Sequence, residues 1–237
     1  MKTTHLILAL GMSLLLSSCN FNFGQEGNGN VTTEERPVTE NFNEIKGSAG
    51  LDIYLTQGDQ NKITVEADEN LHQYILTDIK NGKLTIKTSG NIGRSKATKV
   101  YVTFIDVKKI ESSSGADVVG NSLIKSEVLS LSSSSGSEMS LEVLSKELSA
   151  QTSSGAELEL TGKASSFSGK ASSGSELDAK ELLTLNSIAE ASSGAEITIN
   201  VKEKLNANAS SGGDIAYYGN PTSVNVNKSS SGRVKKE

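Results

Sequence analysis

Ser153-Ser154-Gly155-Ala156-Glu157-Leu158-Glu159-Leu160 is the stretch on which the reading of this chain turns. It joins a Ser-Ser-Gly turn to a small residue, an acid and then an alternation of apolar and polar side chains. Ser-Ser-Gly recurs with its Gly at 115, 136, 155, 174, 194, 212 and 232, at spacings of 18 to 21 residues. In the first six units the residue after the Gly is small (Ala116, Ser137, Ala156, Ser175, Ala195, Gly213). The next is acidic (Asp117, Glu138, Glu157, Glu176, Glu196, Asp214), and the one after that apolar (Val118, Met139, Leu158, Leu177, Ile197, Ile215). Two positions further, Leu141, Leu160, Ala179, Ile199 and Tyr217 keep the parity, which only Gly120 breaks. A period of two is that of a strand with one buried face. The Gly supplies the positive φ that a tight bend needs.

The same parity runs into the turn from the other side. Leu129, Leu148, Phe167 and Leu205 stand seven residues before the Gly, and Leu131, Ala150, Gly169, Ala189 and Ala207 five before it. Two short strands per unit of about 20 residues, with no helical period, describe one coil of a parallel β-helix-like solenoid, its coils about 4.8 Å apart. Leucine-rich repeats are excluded because their Leu-x-x-Leu-x-Leu core is missing. A hexapeptide helix is excluded because an apolar residue at every sixth position cannot survive the variable spacing. Ala, Gly and Ser at inward corners make the coil thin. This accounts for a hydrophobic content of only 35% in 237 residues.

Residues 37–110 lack the tag but read as β. Leu51, Ile53 and Leu55 alternate with polar neighbours, as do Ile63 with Val65, Leu84 with Ile86, and Val100 and Val102 with Phe104. Asn81-Gly82 signals a hairpin, Asp68 to Leu71 a short turn or helical start, and Ser48-Ala49-Gly50-Leu51-Asp52 a degenerate first copy of the repeat. This N-terminal β region, residues 37–110, is expected to cap the solenoid of residues 111–237, because terminal units must shield the end of the stack.

At the start of the chain, Lys2 precedes an almost continuous apolar run from Leu6 to Leu16. At about 1.5 Å per residue this run reaches roughly 16 Å, against a bilayer core of about 30 Å. It is too short to span, and fits a secretory signal. Leu16-Ser17-Ser18-Cys19 resembles the bacterial lipobox, which makes residues 1–18 a lipoprotein signal peptide and Cys19 the lipidation site. Residues 19–36 then form the lipidated Cys and a flexible tether, Asn/Gly-rich from Asn20 to Asn30, with Phe21 and Phe23 at the lipid interface. The expected location is the outer membrane or cell envelope, anchored through lipid. Only Glu26 is acidic near the Cys, so periplasmic and surface-facing placements both stay open.

Arg36-Pro37-Val38, Phe42 to Ile45, Asp52 to Leu55, Ile63 to Leu71, Gly82 to Ile86, Val100 to Phe104 and the Ser-Gly-acid repeats together resemble the DUF2807 family, the auto-transporter adhesin head or head GIN domain. That family is common among lipoproteins of the Bacteroidota type. The resemblance covers roughly residues 37–232. It implies a right-handed β-solenoid and brings no catalytic residues with it.

A net charge of −5 and a pI near 5.3 exclude nucleic acid as a partner. One Cys excludes a disulfide framework. Beyond the signal segment, His72 is the one His, so no Ser-His or Cys-His arrangement and no metal centre can be assembled, and no cofactor is expected. His72 reads as an ordinary surface or cap residue. By parity Asp117, Glu138, Glu157, Glu176, Glu196 and Asp214 point outward in one column. This is a solvated row that discourages lateral sheet pairing, or else a ligand or cation surface suited to Ca²⁺. The paired serines of each tag read as stacked residues that supply ladder hydrogen bonds at the tight bend, or else as a hydroxyl-rich face for ligand recognition. Tyr217 and Tyr218 are the exposed-aromatic candidates.

The functional expectation is a non-enzymatic envelope head with an adhesion, scaffold or protein-contact role. The alternatives are a glycan- or Ca²⁺-binding module and a carbohydrate-active enzyme. The last is disfavoured because acid/base work needs carboxylates in unlike environments.

Overall fold

The computed structural model describes residues 24–229 and 231–237. The signal segment, Cys19, Phe21 and Phe23 lie outside the described residues. Seven strands precede the regular repeat and two flank its first turn: β1 Val31–Arg36, β2 Glu44–Gly47, β3 Asp52–Gln57, β4 Lys62–Asp68, β5 Ile75–Lys80, β6 Lys83–Thr88 and β7 Thr98–Phe104, with a 3₁₀ turn at Glu69–Tyr74, then β8 Lys109–Ser113 and β9 Asp117–Gly120. Eight follow: β10 Ile124–Ser134, β11 Glu138–Ser153, β12 Glu157–Ala171, β13 Glu176–Ala191, β14 Glu196–Ala209, β15 Asp214–Tyr218, β16 Ser223–Lys228 and β17 Arg233–Lys236.

From β8 onward each coil lies parallel on the one before it, Met139 on Val118, Leu158 on Met139, Leu177 on Leu158, Ile197 on Leu177 and Ile215 on Ile197. This is the β-solenoid that the repeat predicts. All of these inward side chains are buried. The two halves of a coil face each other across a thin core. A Cβ on Gly169, an inward position of the second half, would stand 2.8 Å from Cδ2 of Leu177 in the first half of the next coil.

The turn chemistry explains the tag. Ala116 N donates to Ser113 O at 3.2 Å, closing a turn whose central residues, Ser114 and Gly115, have φ of 54° and 71°. Two successive positive φ values mark the primed turns whose twist matches the strands. Ser135, Ser154, Ser173, Ser193 and Ser211 are held the same way, as are Ala49 and Gly50, so the degenerate copy at Ser48–Asp52 is a true turn. The N–H groups of Gly50, Gly115, Gly136, Gly155, Gly174 and Gly194 continue the ladder to the coil stacked next, Gly155 N to Ser173 O for example at 3.2 Å. The variable spacing is absorbed at the corner between the two halves, where register slips between Glu159 and Gly162 and between Ala179 and Leu183.

Two features depart from the sequence reading. First, β2 and β3 are themselves a coil, inserted between β6–β7 on one side and β8–β9 on the other. The strands beyond β6 and β7 are antiparallel: β5 lies along β6, β4 along β7, and β1 along β4. Second, the final turn is shifted by one residue. Gly232 N donates to Ser229 O at 3.1 Å, so Gly232 stands where Gly213 stands in the coil before, buried and without positive φ. Arg233 thereby falls into register with Asp214.

The segment assigned to the tether is engaged from Gly24 onward. Gln25 N donates to Asn91 O and Gly27 N to Arg94 O, both at 2.8 Å, and Val31–Arg36 is a strand. Buried Asp68 ties this segment down, accepting bonds from Gly29 N at 2.5 Å, Lys96 N at 2.7 Å and Ala97 N at 3.2 Å.

Candidate functional site

The acidic residues form the column that strand parity requires. Asp117, Glu138, Glu157, Glu176, Glu196 and Asp214 are register partners from coil to coil, and Asp52 extends the row by one coil. Sequence reasoning missed how the row ends. Lys99 pairs in register with Asp52 at one end, and Arg233 with Asp214 at the other. Arg233 Nε and Nη2 donate to the two Asp214 oxygens at 2.7 and 2.5 Å. A one-residue shift in a degenerate last turn was the only available signal.

Charges in the row are not alike, which corrects the premise of equal environments. Burial raises the carboxyl of Asp117, and Glu138 and Asp52 add repulsion. Burial likewise raises Glu176, with Glu157, Glu196 and Asp178 adding repulsion. Hydrogen bonds and charge from Arg233 hold Asp214 below its ordinary value. The row nevertheless stands on an outward face where its members run side by side along the rod. Acid/base chemistry needs such groups to converge on one reacting atom. Among the described residues, no three His, Cys, Asp or Glu side chains are placed to hold a metal ion.

Among the described residues, the serines of the tag are not the ones whose hydroxyls are bonded. Their neighbours are: Ser112, Ser133 and Ser137 form a buried cluster with Oγ–Oγ distances of 2.9 to 3.1 Å, and Thr152 and Ser175 pair at 2.9 Å two coils on. The second Ser of each tag sits at the exposed apex of the turn.

Tyr217 packs partly against the core, and Lys180 Nζ lies 4.9 Å over the Tyr218 ring. Neither offers an open platform. A second aromatic pair, unmarked in the sequence because its members are 47 positions apart, is Tyr54 with Tyr101. Their rings stack with centroids 5.1 Å apart and 19° between planes, so each spends a face on the other.

His72 is buried, which corrects its reading as a surface residue. Nε2 lies 3.0 Å from Thr32 Oγ1, Arg36 Nη2 donates to its carbonyl at 2.8 Å, and Glu34 stands 3.5 Å from Nδ1. It fastens β1 to the end of the rod.

One concavity was not legible in the sequence. At the corner between coil halves, exposed Leu144, Leu183 and Leu185 line a groove of about 540 Å³ with Lys163 and Lys202 at its sides and no carboxylate. These residues come from successive corners, where insertions break the strand period. Among the described residues, no helix is long and apolar enough to cross a membrane.

The DUF2807 family model, described as "Putative auto-transporter adhesin, head GIN domain", matches residues 41–221. Three crystal structures share the fold. A "putative adhesin" from Bacteroides fragilis aligns with a TM-score of 0.84 at 20% identity, covering 90% of this chain and 100% of that one. A "putative adhesin" from Parabacteroides merdae aligns at 0.72 and 21% identity, covering 90% and 98%. A "putative lipid binding protein" from Parabacteroides distasonis aligns at 0.70 and 21% identity, again covering 90% and 98%. No curated protein matches the chain.

Proposed function

We infer that this chain, which belongs to the DUF2807 family, is a non-enzymatic envelope head, a rigid rod that holds a contact surface away from the membrane to which Cys19 ties it. The observation that carries this reading is the geometry of the outer faces. Every outward position repeats once per coil, so polar groups form parallel rows along flat sheets and do not meet around a substrate. Such a surface suits a macromolecular contact, in which many weak interactions are spread over a large area. The acidic row is a solvated face that keeps copies from pairing laterally. Saccharide stacking finds less support, because Tyr54, Tyr101 and Tyr218 each have one ring face already engaged.

The anchored part of this reading has a direct test. Cys19→Ala should move the protein from the membrane to the soluble fraction, and its retention on membranes would overturn lipidation. Protease added to intact cells then distinguishes outward from periplasmic display. A glycan array and Ca²⁺ calorimetry on the full chain address the alternatives, and the contact reading expects neither to register binding.

A second reading rests on the corner groove. Its apolar floor, flanked by Lys163 and Lys202 without a carboxylate, suits an acyl chain with an anionic head. The P. distasonis neighbour carries a lipid-binding description. Binding of a fluorescent fatty acid that is lost in Leu183→Asp would favour this reading.

A further inference from the structure

The two sheets of the rod differ in charge. The first half of each coil carries the acidic row, with Glu159 and Asp178 beside it. The second half, from β10 through β14 to β16, presents three outward rows made mostly of serines and asparagines, in which only Glu147, Lys170, Glu190 and Lys204 are charged. Glu147 and Lys204 stand in the first row, three coils apart, with Ser166 and Asn186 between them. Among the described residues these two enter no ion pair. Lys170 and Glu190 are neighbours in the third row, joined at 2.9 Å. In the middle row Ile188 is 42% exposed, an aliphatic side chain in a column of Ser149, Ser168 and Asn206. With Glu147 and Lys204 it lines a hollow of about 440 Å³ over Ser149 and Ser168.

These positions are self-complementary about one axis. A two-fold parallel to the strands and midway between β12 and β13 lays a second copy face to face with the first, its rod reversed. By register β12 then faces β13 of the second copy, and β11 faces its β14. Lys170 meets the second copy's Glu190 and Glu147 meets its Lys204, and symmetry makes each contact twice. The Lys170–Glu190 pair of each copy is kept, and the two pairs close into a ring of alternating charge. Ile188 meets Ser168 at the hollow, while Ser149 meets Asn206 and Gln151 meets Asn208, with donors and acceptors on both sides. Moving the axis by half a coil sets Lys170 on Lys170 or Glu190 on Glu190. A two-fold along the rod sets no charge on its opposite. Charge thus selects both the register and the direction. At about 4.8 Å per coil and about 3.3 Å per residue the shared face covers about 500–600 Å² per copy. This is the small, weak end of specific interfaces, suited to contacts made many at a time.

We propose that the sheet formed by the second halves of the coils, β10 to β14 with β16, is a homophilic contact surface that takes a second copy of this chain in antiparallel orientation. The acidic row on the other sheet repels a like face and leaves this one for copies to share. The end carrying β1 is closed by the 3₁₀ turn with buried Leu71 and His72, and Gln25–Asn30 is fastened there. In the antiparallel pair the closed ends point away from each other, so copies anchored through Cys19 meet from two opposing membranes. This names the partner of the contact reading above and rests on it.

The test uses the full chain in detergent and a zero-length carbodiimide, which joins a carboxylate to a lysine only where the two touch. Within one copy Glu147 and Lys204 lie about 14 Å apart along the stack, out of reach of each other. A Glu147–Lys204 link in a dimer band therefore reports the antiparallel register. It is expected at protein concentrations on the order of 10–100 μM. Lys170→Glu and Glu190→Lys should each weaken it by about tenfold or more. Mixing these two variants should restore it, because each new charge then faces its opposite, and restoration by two silent variants itself requires folded chains. Mixing Lys170→Glu with Glu147→Lys, which brings the same changes of net charge, should not restore it. Four results overturn the proposal: no Glu147–Lys204 link, a dimer linked only through other pairs, a link indifferent to the charge variants, or equal restoration by the mismatched mixture. None of them touches the Cys19→Ala result, and a monomeric chain would leave contact with a different macromolecule standing, so failure here is separable from failure of the contact reading.

Discussion

Leu158 and Glu157 are neighbours in the chain with opposite surroundings. Leu158 is fully buried between coils and Glu157 is exposed. Leu158→Asp places an unpaired charge in the core and should cost about 3–5 kcal/mol. Glu157→Lys should stay within about 0.5 kcal/mol, as measured by urea denaturation. Equal costs would reverse the assignment of the two faces. Exposure is a poor guide at the turns, however. Ser154 is exposed yet held at φ 56°, where a β-branched side chain is strained. Ser154→Val should therefore destabilise by about 1–2 kcal/mol, while Ser154→Gly should be tolerated. Gly162 is the stricter position, with φ 106° and a hypothetical Cβ only 2.1 Å from Val143 O. Gly162→Ala should lower stability by about 2 kcal/mol or more.

At the scale of elements, one buried carboxylate joins three backbone segments at the closed end. Burial pushes the Asp68 carboxyl up, but backbone N–H groups of Lys96, Ala97 and Gly29 outweigh this and hold it below its ordinary value of 3.8. A lowered carboxyl stabilises the folded state above the unfolded value, and that contribution is lost as pH falls through the folded one. Hydrogen exchange should thus show Gly24–Arg36 loosening at pH below 3.8 before the coils do. Asp68→Asn should loosen the same residues at neutral pH. Uniform exchange along the rod would mean that the clasp is not a separate unit. The tether reading failed here because the composition of residues 24–36 is polar, and polar segments order when a buried partner supplies their hydrogen bonds.

For the whole molecule the acidic column sets the balance of charge. Adjacent carboxylates about 5 Å apart repel by roughly 0.8 kcal/mol at the dielectric of water. Replacing Glu157, Glu176 and Glu196 together by Gln should leave the fold intact and raise Tm by a few degrees. The raised carboxyls of Asp117 and Glu176 act opposite in sign to Asp68. The folded state takes up their protons more readily, so stability should rise as pH falls from neutral through their raised values. It should then drop below 3.8, where the lowered carboxyls of Asp68 and Asp214 lose their contribution. Thermal melts from pH 3 to 8 should show this maximum, and the triple Gln variant should keep only the part of the neutral-side slope that Asp117 contributes.

Coil length, the inward and outward assignment of nearly every repeat residue, the left-handed Gly at each regular turn and the acidic row follow from contiguous residues. Strand parity and turn chemistry act over a few positions, so a single unit such as Ser153–Leu160 carries them. Chain order could not reveal that β2 and β3 lie between β6–β7 and β8–β9, nor that Asp68 reaches Gly29 and Lys96. Nor could it reveal that Lys99 and Arg233 flank the row. Each of these depends on which coil stacks on which. That order is decided by the closure of loops tens of residues long and by how the inward side chains fill the space between rungs, and local periodicity carries no record of either.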